Sequence, residues 1–100
     1  MDFKITFSPL AEQDIEELVA FIGADDKVAA ERMAQRIMNR VESVSKYPRI
    51  GTIVPEFDCE ELRELLQAPY RIIYRIYDDE KKIRILRVWH GARSTPHILD

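Results

Sequence analysis

The chain has 100 residues, of which 46% are hydrophobic and 33% are charged. This length suits one compact domain, and we expect a single domain over residues 1–100. No stretch approaches the roughly 20 apolar residues that span a bilayer, and the opening segment does not resemble a secretory leader. The one cysteine, Cys59, has no internal disulfide partner. The sequence therefore favours a cytoplasmic protein that does not associate with membranes.

Charge is divided unevenly along the chain. The net charge is −3, with 7 basic and 13 acidic residues in residues 1–61 and 8 basic and 5 acidic residues in residues 62–100. A basic C-terminal half suggests a surface that faces an anionic partner, although solvated surface charge is the commoner explanation. The total is too acidic to indicate a general nucleic-acid-binding domain.

The N-terminal segment predicts a strand followed by a helix. Apolar and polar side chains alternate over residues 3–8, which is the pattern of a half-buried strand. Ser8 followed by Pro9 predicts a helix start, because serine caps the free backbone N–H groups and proline fits the first helical position. Gly23 predicts the end of this helix.

A second amphipathic helix of about five turns follows the acidic pair at residues 25–26. Pro48 stops it, and the short connection between the two helices predicts an antiparallel helical hairpin. Residues 48–61 contain two prolines and one glycine, and they predict a long loop that is functional or contains a short element. The apolar positions of the second helix recur at steps of four and three, at Ala30, Ala34, Ile37, Val41 and Val44.

Three strands are predicted in the remainder, over residues 62–66, 70–77 and 83–89. The middle strand is rich in β-branched and aromatic residues, and the polar turn at 78–81 joins it to the last strand as an antiparallel hairpin. The last strand is apolar on both faces, which indicates a central position. We therefore predict an α+β fold in the order β-α-α-β-β-β, with the helical hairpin packed on a small, largely antiparallel sheet of undetermined strand order.

Four residues form a candidate target-binding site. Strand alternation places Arg71 and Arg75 on the sheet face away from the helices, where guanidinium groups suit phosphate or carboxylate recognition. A solvated face with cross-strand ion pairs explains them equally well. His90 and Arg93 follow the last strand. Because the start of one hairpin strand lies beside the end of the other, we expect Arg71 to approach this turn and the four residues to form a small basic site.

The sequence predicts no metal and no cofactor. Cys59, His90 and His97 lack the spacing of zinc ligands, and a fourth ligand is missing. Phosphate-binding glycine loops and the common hydrolase motifs are also absent from the sequence. His90 alone is more often a hydrogen-bonded structural residue than a catalytic one, and His97 has no obvious partner.

Several short motifs resemble the RelE/ParE toxin family. They are the runs Pro69–Ile76, Ile83–Val88 and His90-Gly91-Ala92-Arg93, together with the upstream segments 47–51 and 62–65. Each motif is short, but their order and spacing match the family over residues 3–93, nearly the whole chain. The predicted order of helices and strands also agrees with this family.

The resemblance implies the toxin of a type II toxin–antitoxin pair, of the plasmid-stabilisation type. A cognate antitoxin would neutralise the toxin by wrapping it, and the two would form an oligomer together. RelE-like members are messenger RNA endoribonucleases that act on the ribosome, whereas ParE-like members inhibit DNA gyrase and are not known as nucleases.

The residues of the resemblance favour the ParE-like branch, with the ribonuclease as the alternative. RelE-like enzymes use an arginine on the central strand, which Arg71 matches, and a second arginine where this chain has Gly91. They often use a tyrosine where this chain has His97. Loss of the second arginine removes a cation that would stabilise developing phosphate charge. Arg71 and His97 are catalytic candidates only under the ribonuclease alternative.

The predicted helices have more apolar positions than one small sheet can cover. We therefore expect an apolar groove between the hairpin and the sheet. An antitoxin would place an amphipathic helix in such a groove, with apolar anchors at steps of three and four.

Overall fold

The helices and strands follow the predicted order, with one short strand added. The computed structural model describes residues 2–98. Its elements are β1 (Lys4–Phe7), α1 (Pro9–Gly23), α2 (Lys27–Lys46), β2 (Thr52–Ile53), β3 (Leu62–Gln67), β4 (Tyr70–Tyr77) and β5 (Lys82–His90). The α+β prediction is confirmed, and β2 is the short element within the predicted loop.

Capping residues set the start of both helices. The Ser8 side chain accepts a hydrogen bond from the backbone N–H of Ala11 at 3.1 Å, and Asp26 accepts one from Ala29 at 3.0 Å. The Ser8 hydroxyl also donates to the backbone carbonyl of Leu86 at 2.8 Å, so this buried cap ties the start of α1 to β5. No helix within residues 2–98 is long and apolar enough to cross a membrane.

The five strands form one mixed sheet in the order β1-β5-β4-β3-β2. β1 pairs in parallel with β5, and the other neighbours pair antiparallel. The helical hairpin therefore carries the chain from β1 at one edge of the sheet to β2 at the opposite edge. The predicted central position of the last strand is confirmed, since β5 lies between β1 and β4.

The two faces of the sheet support separate apolar clusters. On the face covered by the helices, buried side chains from α1, α2, β3, β4 and β5 pack together, and Tyr70, Ile72, Tyr74 and Ile76 belong to this cluster as predicted. The opposite face, called the far face below, has a smaller cluster formed by Val54, Leu62, Ile73, Leu86 and Trp89.

A β-bulge explains why the last strand is apolar on both faces. The register shifts so that Ile73 faces Arg87 while Tyr74 faces Ile85, leaving Leu86 as the extra residue. The extra residue reverses the alternation within β5. As a result Ile85 and Val88, three positions apart, both join the helix-side cluster, and Leu86 joins the far-face cluster.

Candidate functional site

Arg71 lies on the far face at the start of β4, clamped between two carboxylates. Its Nη1 and Nη2 atoms donate to the two oxygens of Glu56 at 2.7 Å each, and its Nε donates to Glu64 at 2.6 Å. The Arg71 side chain is 14% exposed. Glu56, and to a lesser extent Glu64, raises the pKa of the Arg71 guanidinium, and Arg71 in turn lowers the pKa of Glu56 below 4.5.

The turn after β5 lies directly beside Arg71. In the β4–β5 register Arg71 faces Trp89, and Gly91 donates its backbone N–H to the carbonyl of Pro69 at 2.7 Å. A side chain at Gly91 would begin 3.8 Å from the Cγ of Arg71. The position that the resemblance associates with a second arginine is therefore next to Arg71, and it holds no cation.

His90 lies on the helix side of the sheet. It pairs with Tyr70 across the β4–β5 ladder, and the two rings meet edge to face with centroids 5.5 Å apart. Its Nδ1 accepts the backbone N–H of Ala92 at 3.1 Å. His90, Tyr70 and Arg93 line a cavity of about 500 Å³ whose other wall is α1, including Glu17 and the exposed Phe21.

Arg93 extends over an aromatic ring. Its guanidinium carbon lies 4.2 Å from the centroid of Trp89, and the guanidinium carbon of Arg87 lies 4.6 Å from the same centroid. Cation–π contacts of this kind contribute about 0.5–1 kcal/mol each at exposed sites. The Trp89 indole N–H donates to the carbonyl of Ser94 at 2.7 Å, which fixes the turn that carries Arg93.

Arg75 lies on the far face near the other end of β4, half-buried and opposite Arg84 in the register. Its side chain makes no hydrogen bond or ion pair with any residue in the range 2–98.

The prediction of one basic site is not met, because strand alternation divides its members between the two faces of the sheet. Arg71 and Arg75 share the far face, whereas His90 faces the helices. Arg93 lines a cavity with His90, and its guanidinium also lies over Trp89 of the far-face cluster. Adjacent residues of a strand point in opposite directions, so Arg71 approaches the turn backbone without joining the His90 side chain.

The ion pair between Asp14 and Arg87 was not anticipated from the sequence. Arg87 donates from Nε and Nη2 to the two Asp14 oxygens at 2.8 Å each, and the backbone N–H of Val88 also donates to Asp14 at 2.9 Å. β1 ends at Phe7, which pairs with Ile85, so Val88 lies beyond the part of β5 that pairs with β1. Asp14 of α1 accepts the backbone N–H of Val88 instead. The pair therefore fastens α1 to the sheet.

The three residues considered for a metal site do not gather. Among residues 2–98 no cluster of three histidine, cysteine or acidic side chains has the geometry to hold a metal ion. The Cys59 thiol donates to Glu61 at 3.4 Å, and the backbone carbonyl of His97 accepts from Arg87 at 2.6 Å while its ring is exposed.

Exposed apolar side chains are concentrated in the segment after α2. Tyr47 is 65% exposed, Ile50 50%, Ile53 37% and Phe57 37%. The first two line a shallow cavity of about 660 Å³ with Pro48. Ile53 belongs to β2, an edge strand that pairs only with β3 on its inner side. This apolar surface lies on residues 47–57, after the helical hairpin, and not between the hairpin and the sheet where the groove was expected.

A match to a protein-family model shows the family to which the chain belongs. Residues 5–95 match the model of the ParE toxin of the type II toxin–antitoxin system parDE. The chain belongs to the ParE toxin family. This confirms the resemblance that the motifs at residues 69–76 and 90–93 indicated.

This ParE-family toxin is also similar to two relatives and to one solved structure. It is 34% identical over 98 residues to the protein Y4kP of Sinorhizobium fredii, with 96% of each chain covered. It is 32% identical over 90 residues to Toxin RelE2 of Caulobacter vibrioides, covering 90% of this chain and 97% of RelE2. A chain of the RelBE2 toxin–antitoxin complex from Mycobacterium tuberculosis has the same fold, with a TM-score of 0.68, 22% identity, and coverage of 90% and 99%. The chain is a toxin of the RelE/ParE type.

Proposed function

We propose that this toxin acts in the cytoplasm by inhibiting DNA gyrase, without cleaving RNA. The observation that carries the proposal is the clamp on Arg71, whose guanidinium is engaged by both Glu56 and Glu64. One guanidinium and two carboxylates sum to a net charge of −1. A phosphodiester that approached this group would meet a negative field.

Phosphodiester cleavage requires stabilisation of negative charge that grows in the transition state. The clamp opposes that charge, and Gly91 supplies no second cation beside it. An inhibitor that binds a protein surface needs charge and shape but no proton donor and acceptor in reach of a phosphate. The arrangement around Arg71 therefore supports the ParE-like branch over the ribonuclease alternative.

In this proposal Arg93, with His90 beside it, contacts the target directly and Arg75 forms a separate contact on the far face. Arg71 contributes by holding the loop that contains Glu56. Arg75 makes no ion pair with the described residues, and Arg93 is exposed above Trp89. An arginine stacked on an aromatic ring is a typical anchor at protein interfaces. Arg71 acts as a positioning residue, because its donors already bind Glu56 and Glu64.

A cognate antitoxin is the second proposed partner, and it would form an oligomer with the toxin. The neighbour from Mycobacterium tuberculosis was solved as a toxin–antitoxin complex. On this chain, residues 47–57 combine exposed apolar side chains with the open edge of β2. An extended antitoxin segment would add a strand at that edge, and an adjoining amphipathic helix would cover Tyr47 and Ile50.

The gyrase proposal is tested with variants expressed in the absence of antitoxin. Arg75→Ala and Arg93→Ala should each weaken the inhibition of gyrase supercoiling in vitro, and His97→Ala should leave it unchanged. Lys27→Ala, which removes an exposed charge at the start of α2, is the control. Messenger RNA cleavage on translating ribosomes is measured in parallel with the same proteins.

The two branches give opposite results in this experiment. A ribonuclease would cleave messenger RNA on ribosomes, and His97→Ala would lower that cleavage by about 10²–10⁴-fold through loss of a general acid. Cleavage that depends on His97, with supercoiling unaffected by the wild-type toxin, would exclude the gyrase proposal.

The antitoxin surface is tested by Ile50→Asp, which places a charge in the exposed apolar segment. We expect the affinity for the antitoxin encoded beside the toxin to fall by at least tenfold in calorimetry, because burying an unpaired carboxylate is costly. Val28→Asp changes an equally exposed apolar residue on α2 and is the matched control. No loss for Ile50→Asp, or an equal loss for Val28→Asp, would contradict this placement of the antitoxin.

A further inference from the structure

α2 presents three arginines at a spacing of four residues. Arg32 and Arg36 are exposed and Arg40 is half-buried. With a rise of about 1.5 Å per residue, successive members lie about 6 Å apart along the helix axis. We call Arg32, Arg36 and Arg40 the arginine stripe.

The arginine stripe lacks partners within the part of the chain that the structure describes. None of its guanidinium groups forms an ion pair or hydrogen bond with residues 2–98, and the Nε of Arg40 is buried without a partner. By contrast, Arg49, Arg63, Arg71 and Arg87 each form an ion pair with a carboxylate. Like charges four residues apart on a helix cost about 0.2–0.5 kcal/mol per pair. The stripe therefore opposes folding slightly, which is consistent with a role in binding.

The two helices carry opposite charge. α1 has four acidic residues and no basic one, whereas α2 has five basic residues and two acidic ones. The net negative charge of residues 1–61 as a whole conceals this difference in charge between α1 and α2. An anion that approaches the hairpin from the α2 side meets a locally basic surface, although the whole chain has a net charge of −3.

The surroundings of the arginine stripe are polar. Among the exposed side chains near it, Gln35 and Asn39 hydrogen-bond to each other at 2.9 Å, and Glu31 is an acidic residue next to Arg32. α2 has two exposed apolar residues: Met38 lines a separate groove with Ile5 and Phe7 of β1, and Val28 lies alone one turn before Arg32. Protein–protein interfaces bury an apolar centre, and the stripe offers none. A polyanion needs no such centre, because cations and amides are the groups that bind phosphates.

We propose that the arginine stripe binds the phosphate backbone of duplex DNA. Regularly spaced cations with neighbouring amide groups match a regularly charged backbone. The major groove of B-DNA also admits an α-helix, whereas the deep, narrow major groove of duplex RNA does not. The proposal stands on α2 alone and does not depend on gyrase being the target.

The test measures binding of the full chain to a fluorescent DNA duplex of about 20 base pairs by anisotropy between 50 and 200 mM salt. Three phosphate contacts predict a slope of about −2.7 in log affinity against log salt, which is about a 40-fold loss of affinity over this range. The double variant Arg32→Gln/Arg36→Gln should reduce the slope to about −0.9. The control Lys4→Gln/Lys81→Gln removes the same charge from exposed positions outside α2 and should keep the wild-type slope. Circular dichroism verifies that both variants are folded.

Several outcomes would overturn the proposal. Absence of salt-dependent binding by the wild-type chain would do so, as would equal losses in the stripe variant and the control. Duplex RNA or polyglutamate bound as tightly as the DNA would also overturn it, in favour of RNA or an acidic polypeptide. Gyrase inhibition is measured separately on the same variants, so failure of DNA binding and failure of the gyrase proposal are distinguishable.

Discussion

Removal of the Asp14 carboxylate is expected to destabilise the toxin severely. Asp14 accepts two hydrogen bonds from Arg87 and one from the backbone of Val88, and the Asp14 and Arg87 side chains are each 9% exposed. Asp14→Ala leaves the arginine charge buried without its partner, which costs about 3–5 kcal/mol. For a domain of this size each kcal/mol lowers the Tm by about 4–8 °C, so the expected decrease is at least about 12 °C.

Urea unfolding followed by circular dichroism measures this loss. Glu16→Gln removes one negative charge from the same helix at an exposed position and should leave the free energy of unfolding nearly unchanged. The double variant Asp14→Leu/Arg87→Met should be more stable than Asp14→Ala, because it leaves no unpaired buried charge. A loss below about 1 kcal/mol for Asp14→Ala, the level of an exposed ion pair, would refute the reasoning.

Two further predictions concern the region around the Arg71 clamp. The pKa of Glu56 is lowered from 4.5 by its arginine partner, so the ion pair contributes stability above pH 4.5 that is lost as the pH falls through the folded-state pKa. Glu56→Gln should flatten the pH dependence of the free energy of unfolding below pH 4.5, and an unchanged dependence in urea titrations would contradict this. A Cβ at Gly51 would lie 2.6 Å from both the Glu64 carbonyl oxygen and the Tyr74 hydroxyl, whereas one at Gly23 would meet only an ordinary contact at 3.6 Å. Gly51→Ala should therefore lower the Tm and Gly23→Ala should not, and equal Tm values in calorimetry would disprove the close approach.

Local signals predicted most of the fold. Ser8 and Pro9 start α1 as capping rules require. Gly23 is its last residue, although the cap itself is Ala24 and Gly23 does not adopt a left-handed conformation. The alternation in residues 70–77 identified both the strand and its helix-facing side. β2 was anticipated only as a short element in a long loop, because two residues contain too little pattern to define a strand.

Contacts between distant residues could not be predicted from local patterns. Alternation placed Arg71 on the correct face. It could not show that Glu56, 15 residues earlier, would accept hydrogen bonds from both terminal nitrogens of the Arg71 guanidinium. The bulge at Leu86 and the Asp14–Arg87 pair likewise depend on how separate elements meet. The arginine stripe is different, since its spacing is visible in the sequence once charge is counted by helix rather than by half of the chain.

The parallel pairing of β1 with β5 has a consequence for biosynthesis. Ser8 bonds to Leu86, 78 positions later, and Ile5 pairs with Ile83, so the first strand obtains its partner only after residues 82–90 have been made. Contacts of such long sequence separation slow folding, because closing the chain costs entropy before any contact forms. The core can therefore close only after β5 has emerged from the ribosome, and a chain terminated before Lys82 is expected to remain unfolded and harmless.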